Sequence, residues 1–573
     1  MKMIWKYLKP VSRMMFVGLL IKVIGSVLEL MLPYILSKII DDIVPLKNTV
    51  LIAEWGGIMI LCSILAWWCN IRANRSAAEV SRRATRAIRH DLFEKTLYLS
   101  CEKTDAFTIP SLETRLTSDT YNVHRMLGMM QRMGIKAPII VVGGLAITLF
   151  MDSFLFLALL AVIPFISVLV YVRATKGVPL FAKVQQISDK MVGVVRENVQ
   201  GIRVIKALSR IENEKKRYAA VNKAQHDQEI YANRTMAVIS PGMNLFLNLG
   251  LTGVILLGAY RVNQGLSETG RIIAFMSYFT IISRSMMAIS RMFIMYSRGI
   301  ASANRIDEVL QTESEKSWKP GNYPDGDPQY AIEFRDVSFS YLKVKDNLKH
   351  ISFKIRPGES LGILGATGSG KTTVMSLLLH FYDIDSGAIY LNGTDIRNIE
   401  PSELRRQFGL VMQNDFLFSD TIAENIRFGR EVSDDSMEDA IDSAQASEFI
   451  NQLEERVEHE LTTNGTNVSG GQRQRILLSR AFASNPEYLL LDDSSSALDY
   501  ATDAKLRRAL AEKYPDTTMV IIAQRVSSIR SCDQIMILDN GDLSDIGTDE
   551  ELTARSALYA SICESQMGGA LFE

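Results

Sequence analysis

Six apolar stretches crowd into the N-terminal half of this chain, and each comes close to the roughly 20 residues that a helix needs to cross a bilayer. They run from about Met14 to Leu36, Leu51 to Trp68, Ile135 to Met151, Phe154 to Val172, Ala237 to Ala259 and Ile272 to Phe293. Peptide groups in hydrocarbon find no water to bond, so stretches of this kind have to be helical. Only Asp152 and Ser153 separate the third from the fourth, and a small polar loop with Gly265 and Gly270 joins the last two. The spans therefore pair into three hairpins. Arg72, Arg75, Arg82, Arg83, Arg86, Arg89 and Lys95 follow the second span, and Arg196, Arg203, Lys206, Arg210, Lys215, Lys216 and Arg217 lie between the fourth and fifth. Basic connections mark the cytoplasmic side, which predicts a multi-pass protein of the cell membrane with both termini in the cytoplasm. These long, helix-compatible connections are expected to carry the spans on into the cytosol as two prongs.

Past about Pro320 no apolar run approaches a membrane span, so a soluble domain follows. The average composition, 47% hydrophobic and 22% charged over 573 residues, conceals this contrast. A net charge of -1 carries no electrostatic footprint for nucleic acid and leaves the lipid bilayer as the expected partner. Cys62, Cys69, Cys101, Cys532 and Cys563 are scattered without metal-ligand spacing, and no disulfide framework is expected. The opening MKMIWKYLKP lacks a small-residue cleavage site and reads as an interfacial helix, not a signal peptide.

The chemistry sits in the soluble half. Gly365 to Thr373 reads GATGSGKTT, preceded by the apolar run Leu361 to Leu364 and followed by a helical pattern from Val374 to His380. Strand, glycine loop and helix form the setting in which backbone N–H groups close around phosphate oxygens at a helix N-terminus. The predicted nucleotide contacts are Thr367, Gly368, Ser369, Gly370, Lys371, Thr372 and Thr373, with Lys371 reaching the outer phosphates and Thr372 on magnesium. ATP and Mg2+ are the expected cofactors.

Five further segments in the expected order resemble the ABC ATPases. Tyr341, in VSFSY, matches the aromatic residue that stacks on adenine, and Gln413, in VMQND, the glutamine that ligates magnesium. Ser469, Gly470, Gly471 and Gln472, in NVSGGQRQR, match the signature that closes on a nucleotide held by the other subunit. Asp492 ends the run YLLLD as a magnesium-associated carboxylate, and Ser496 to Asp499 matches the D-loop. With six spans ahead of one ATPase domain, the chain resembles a half-transporter of the P-glycoprotein-like ABC exporters, the type IV fold. The resemblance implies an α-helical six-span transmembrane domain over residues 1–312, a linker over 313–330 and an α/β P-loop domain over 331–573. It also likens Phe107 to Asp119 and Arg196 to Leu208 to the coupling helices of such exporters.

Two positions depart from that family. Where the family has the glutamate that polarises the attacking water, this chain has Asp493, one methylene shorter. Where it has the switch histidine, this chain has Gln524. Pulling a base back by ~1 Å costs about a hundredfold in rate, and an amide donates a hydrogen bond without titrating. The pair resembles the degenerate subunit of heterodimeric bacterial multidrug-type exporters, whose partner half-transporter supplies the consensus glutamate and histidine. The expected cargo is a small amphipathic or multidrug-type substrate; a lipid or peptide exporter and an ATP-gated regulator of slow turnover are the alternatives. Thr463 and Asn464 also depart, standing where many exporters have Glu-Arg. In the last span Arg284 falls ~18 Å deep, near the midplane of the bilayer, which makes it and Glu29 candidates for the substrate cavity. Met276, Met286, Met287, Met292 and Met295 share its helix and could repack around varied ligands.

Overall fold

The computed structural model describes residues 2–341 and 343–567. The chain divides into two compact units. One takes the residues up to Leu97 together with Ile109–Thr312, and the other takes Tyr98–Thr108 together with the residues from Glu313 onward.

Long helices dominate the first unit: α1 (Ser12–Lys38), α2 (Thr49–Leu97), α3 (Lys136–Met151), α4 (Ser153–Gln200), α5 (Ile239–Asn263) and α6 (Thr269–Gln311). Among the described residues five stretches are long and apolar enough to cross a membrane, and the apolar start of α4, Ser153–Val162, is a shorter one. At 1.5 Å per residue the 49 residues of α2 make a rod more than twice as long as a bilayer core is thick, so this helix runs well past its apolar part, as expected from the polar prongs. Apolar side chains such as Phe150, Phe16 and Leu20 are exposed along the apolar helices, which suits a lipid solvent.

The two-residue break between α3 and α4 is held by Asp152. Its Oδ1 accepts from the backbone N–H of Phe154 (2.9 Å) and Leu155 (3.2 Å), satisfying the first donors of α4. Its Oδ2 accepts from Ser267 Oγ at 3.0 Å, which ties this turn to the loop ahead of α6. Further along, Tyr278 of α6 donates to Leu30 O of α1 at 2.6 Å, and buried Asp119 pairs with Arg305. Arg196–Leu208 contains the end of α4 and a short helix, Ile202–Ala207.

The second unit is built on a ten-stranded sheet in the order β5-β4-β1-β2-β10-β9-β3-β8-β7-β6. Its central strands are β3 (Ser360–Gly365), β6 (Phe408–Val411), β7 (Tyr488–Asp492), β8 (Thr518–Ile522) and β9 (Gln534–Asp539). These pair in parallel, and their near-continuous Leu, Ile and Val content follows from burial on both faces. An antiparallel group, β1 (Ile332–Phe339), β2 (Leu348–Ile355), β4 (Ser386–Leu391) and β5 (Thr394–Asp395), extends one side, and β10 (Asp542–Gly547) bridges to it. Because β3 lies between β9 and β8, the carboxyl end of β3 opens at the middle of the sheet, where ligands of open α/β folds bind.

The unit also incorporates a segment from far upstream. Ser100 caps the helix Cys101–Phe107, its side chain accepting from Lys103 N, and Thr108 ends it with a left-handed φ of 64°. Tyr382 Oη donates to Asp105 Oδ2 of this helix at 2.5 Å. Burial and that carboxylate together raise the Tyr382 phenol above its ordinary value. The stretch that joins the second unit is thus Tyr98–Thr108, upstream of most of the Phe107–Asp119 stretch, whose remainder belongs to the first unit.

Candidate functional site

The P-loop leaves β3 at Gly365 and enters α7 (Lys371–Leu378). Gly368 (φ 85°) and Gly370 (φ 103°) adopt backbone conformations that side chains resist, and a Cβ on Gly370 would stand 2.6 Å from Leu348 Cδ2. Lys371 Nζ donates to Gly365 O and Ala366 O, 2.8 Å each, so the ammonium lies folded across the loop it belongs to. Burial lowers its pKa, while Asp492 and Asp493 oppose that shift. Ser369 Oγ is buried with no hydrogen-bond partner among the described residues, an orphan donor in a cradle of backbone N–H groups. Such a nest fits a phosphate group.

Across from it, Thr372 Oγ1 donates to Asp492 Oδ2 at 2.7 Å. Asp492 closes β7, and burial raises its carboxyl pKa above the usual range, the Thr372 hydrogen bond working the other way. A hydroxyl and a carboxylate joined so closely beside the phosphate cradle are a donor set that suits magnesium. Gln413, two residues past the end of β6, is exposed and makes no hydrogen bond to Thr372 or Asp492 among the described residues.

The next residue, Asp493, is the one expected from the sequence to weaken the site. Asp493 sits at φ 52°, a left-handed conformation that aspartate tolerates better than most residues. Its backbone is fixed on both sides: the N–H donates to Ile522 O at 2.9 Å, and the carbonyl accepts from Gln474 Nε2 at 3.0 Å. Burial raises its carboxyl pKa, opposed by Lys371 and Arg525. Gln524 Nε2 donates to Asp493 Oδ2 at 3.0 Å, so the two substituted side chains meet. Parallel pairing of β7 with β8 brings them together, since both stand just beyond the carboxyl ends of these neighbouring strands.

Gln566 was not legible from any motif. It lies in the last described helix, Ala557–Met567, and grips the segment around Arg525 from both sides. Its Nε2 donates to Gln524 O (2.9 Å) and its Oε1 accepts from Val526 N (2.8 Å).

Ser469 caps α8 (Gly470–Phe482) in a reciprocal box: Gln472 N donates to Ser469 Oγ at 3.3 Å, and Ser469 N donates to Gln472 Oε1 at 2.8 Å. A Cβ on Gly471 would stand 3.1 Å from Ala497 O, so the signature packs against the D-loop. Gln474 joins three motifs, bonding Asp493 O and accepting from Ala497 N at 3.0 Å. Among the described residues no hydrogen bond links the signature to the P-loop. Asp499 caps α9 (Tyr500–Lys513) by accepting from Thr502 N at 2.8 Å, and that bond lowers its pKa. Tyr341 is exposed, edge-on to Phe339 and Tyr382, with its Oη 3.3 Å from Thr373 Oγ1 beside the P-loop helix.

In the first unit, Glu29 pairs with Lys136 at 2.7 Å, and Arg284 is exposed without an ion pair among the described residues. The structure does not join Glu29 to Arg284.

Comparison with known proteins agrees with this architecture. Residues 15–286 match the ABC transporter transmembrane region and residues 348–496 match the ABC transporter family. YfiB of Bacillus subtilis, an uncharacterized ABC transporter ATP-binding protein, is 35% identical over 564 residues, covering 98% of each chain. YfiC of the same organism is 32% identical over 572 residues, covering 99% of this chain and 94% of the relative. A bacterial Atm1-family ABC exporter solved with ATP bound shares the fold with a TM-score of 0.83 at 23% identity, covering 97% of this chain and 98% of that one. A membrane unit of long apolar helices, a P-loop ATPase unit and full-length kinship together place this chain in the ABC transporter family.

Proposed function

We propose that this chain is the subunit with the weakened ATP site in a heterodimeric, ATP-driven exporter of amphipathic or multidrug-type substrates. The observation that carries the reading is the hydrogen bond from Gln524 Nε2 to Asp493 Oδ2. A carboxylate one methylene short of the family's glutamate, held sideways by an amide, is drawn away from a water beyond the phosphate cradle. The site can still bind. The nest around Ser369 takes the outer phosphates, Lys371 swings onto them, and Tyr341 offers a face to the base. Thr372 and Asp492 would hold magnesium, which supplies neutralisation of charge developing on the phosphoryl oxygens.

The signature face at Ser469 to Gln472 is intact, and it serves the partner's nucleotide. Its helix N-terminus presents backbone donors to the transferred phosphoryl group, where preorganised donors are worth several kcal/mol of barrier. Two such chains meeting around ATP would make two slow sites, whereas a partner with the consensus glutamate and histidine makes one fast and one slow. Turnover at the fast site resets the alternating membrane unit while ATP stays bound at the slow one. In this reading the transporter lies in the cell membrane with both termini cytoplasmic. The transmembrane domain spans 1–312, the linker 313–330 and the ATPase domain 331–573.

The test is purification of the chain alone and together with a co-expressed second half-transporter. The solo protein should bind ATP with very slow hydrolysis, and the pair should hydrolyse quickly and drive dye uptake into inside-out vesicles. Brisk turnover of the unmodified solo chain sinks the heterodimer assignment.

A further inference from the structure

Between α1, α2 and the stretch from Met129 to Lys136 lies a cavity of about 640 Å³. Lys22, Arg132, Lys136 and Glu29 all line it, three cations against one carboxylate. Glu29 Oε2 is committed to Lys136 Nζ at 2.7 Å, so that pair is neutral. Among the described residues the other two charges have no such partner. Lys22 is 4% exposed and donates there to neutral acceptors, Asn70 Oδ1 at 2.8 Å and Asn74 Oδ1 at 3.1 Å. Arg132 donates Nε to Gly128 O at 3.0 Å, and among the described residues no carboxylate pairs with its guanidinium.

The location makes this imbalance informative. Lys22 is ten residues into α1, ~15 Å along a helix whose composition is that of a membrane span. A buried cation there is costly unless it meets an anion or water, and such residues mark binding sites or pathways. Leu32, Ala66, Trp67, Met129 and Met133 supply apolar wall beside the two cations. The cavity thus combines cationic groups, with fixed amide neighbours, and apolar surface that suits a hydrocarbon tail.

We infer that this cavity binds the anionic headgroup of a single-tailed or double-tailed amphiphile, a carboxylate, sulfate or phosphate ester. Arg132 and Lys22 contact the anion, and the tail lies along Trp67 and Met133. As a statement about cargo the inference rests on the exporter reading, but binding does not. The headgroup chemistry is shared by acidic membrane lipids and by free anionic amphiphiles, and the experiment separates the two.

The probe is 11-(dansylamino)undecanoate, compared with its uncharged methyl ester, added to the full chain in phosphatidylcholine nanodiscs. Energy transfer from tryptophan is read, and Trp67→Phe identifies the part that arises in the cavity. The carboxylate should give a saturable Trp67-dependent signal, and the ester a signal at about tenfold higher concentration or more. Arg132→Gln should weaken the carboxylate by about tenfold, with Arg132→Lys restoring most of it. Glu29→Gln should tighten binding by removing the competing anion, a sign that a merely structural role does not give. Lys22→Met risks unfolding because Lys22 ties α1 to α2, so the test stands on the other variants. Competition by added phosphatidylglycerol assigns the occupant to the bilayer, its absence assigns a free amphiphile, and both uphold the site. Equal binding of acid and ester, or no response to Arg132→Gln and Glu29→Gln, overturns it. Dye uptake by vesicles bearing the assembled transporter reports on the exporter reading alone, so failure of one is separable from failure of the other.

Discussion

Gln524 and Asp493, 31 residues apart in the chain, are joined by a 3.0 Å hydrogen bond from amide to carboxylate. In the proposed reading Asp493 and Gln524 stand in for the family's catalytic glutamate and switch histidine, so the two are expected to act as one unit. Asp493→Glu with Gln524→His should raise hydrolysis by the solo chain by about a hundredfold, and each single change should recover less than half of that gain on a logarithmic scale. Single-turnover ATPase rates for all four proteins check the coupling. Additive single effects would show that the hydrogen bond has no part in the slow rate.

The two faces of the ATPase unit are expected to respond differently in the assembled complex. Ser469→Arg should stop turnover, because the bulky cation blocks the backbone donors that serve the partner's nucleotide. Lys371→Ala should remove the ATP held at the slow site and leave reduced but measurable hydrolysis. Bound nucleotide and phosphate release are measured together. Abolished hydrolysis in Lys371→Ala with little change in Ser469→Arg would falsify the assignment of fast and slow sites.

Gln566 grips the backbone on both sides of Arg525, and this bidentate hold fixes where the Gln524 side chain starts. Gln566→Ala removes two hydrogen bonds, each worth about 1 kcal/mol where the backbone groups stay unsatisfied. Amide exchange should quicken in the switch segment around Ile522 to Val526 while ATP affinity changes by less than about threefold. Unchanged exchange there would mean that the strand end alone holds the segment.

Tyr382→Phe deletes the hydroxyl that donates to Asp105 and keeps the ring that packs against Tyr341 and Phe339. A loss of about 1 kcal/mol is expected in the attachment of Cys101–Phe107, with the ATPase fold intact. Faster proteolysis within Tyr98–Thr108, with an unaltered melting transition for the ATPase unit, checks it. Asp105→Asn should act in the same direction by a smaller amount, because an amide oxygen still accepts.

The architecture was legible in the sequence wherever a local rule was enough. Apolar runs give the spans because hydrocarbon permits only helix, and GATGSGKTT gives its own backbone because only glycine takes the φ values found at Gly368 and Gly370. What escaped depends on distant pairing. Asp493 and Gln524 could each be flagged as substitutions, but their contact exists only through the β7–β8 register. Gln566 belongs to no motif, so nothing in its neighbourhood announces the grip on Val526. Depth makes Arg284 and Glu29 joint candidates for the cavity, but the fold pairs Glu29 with Lys136, which no pattern in the sequence singles out. The upstream docking helix did leave a trace: Ser100 is a capping residue three positions before Lys103, and that signal places a helix start before Phe107.

Because Tyr98–Thr108 folds with the residues from Glu313 onward, the ATPase unit is discontinuous in the gene. A fragment beginning at Glu313 would be missing a piece of itself, with Tyr382 deprived of Asp105 and Glu315 N–H deprived of the Tyr98 carbonyl at 2.9 Å. Any swap of ATPase domains between relatives by a single crossover near that point joins one parent's docking helix to the other parent's surface, so inherited compatibility at Asp105 and Tyr382 limits which chimeras fold as one piece.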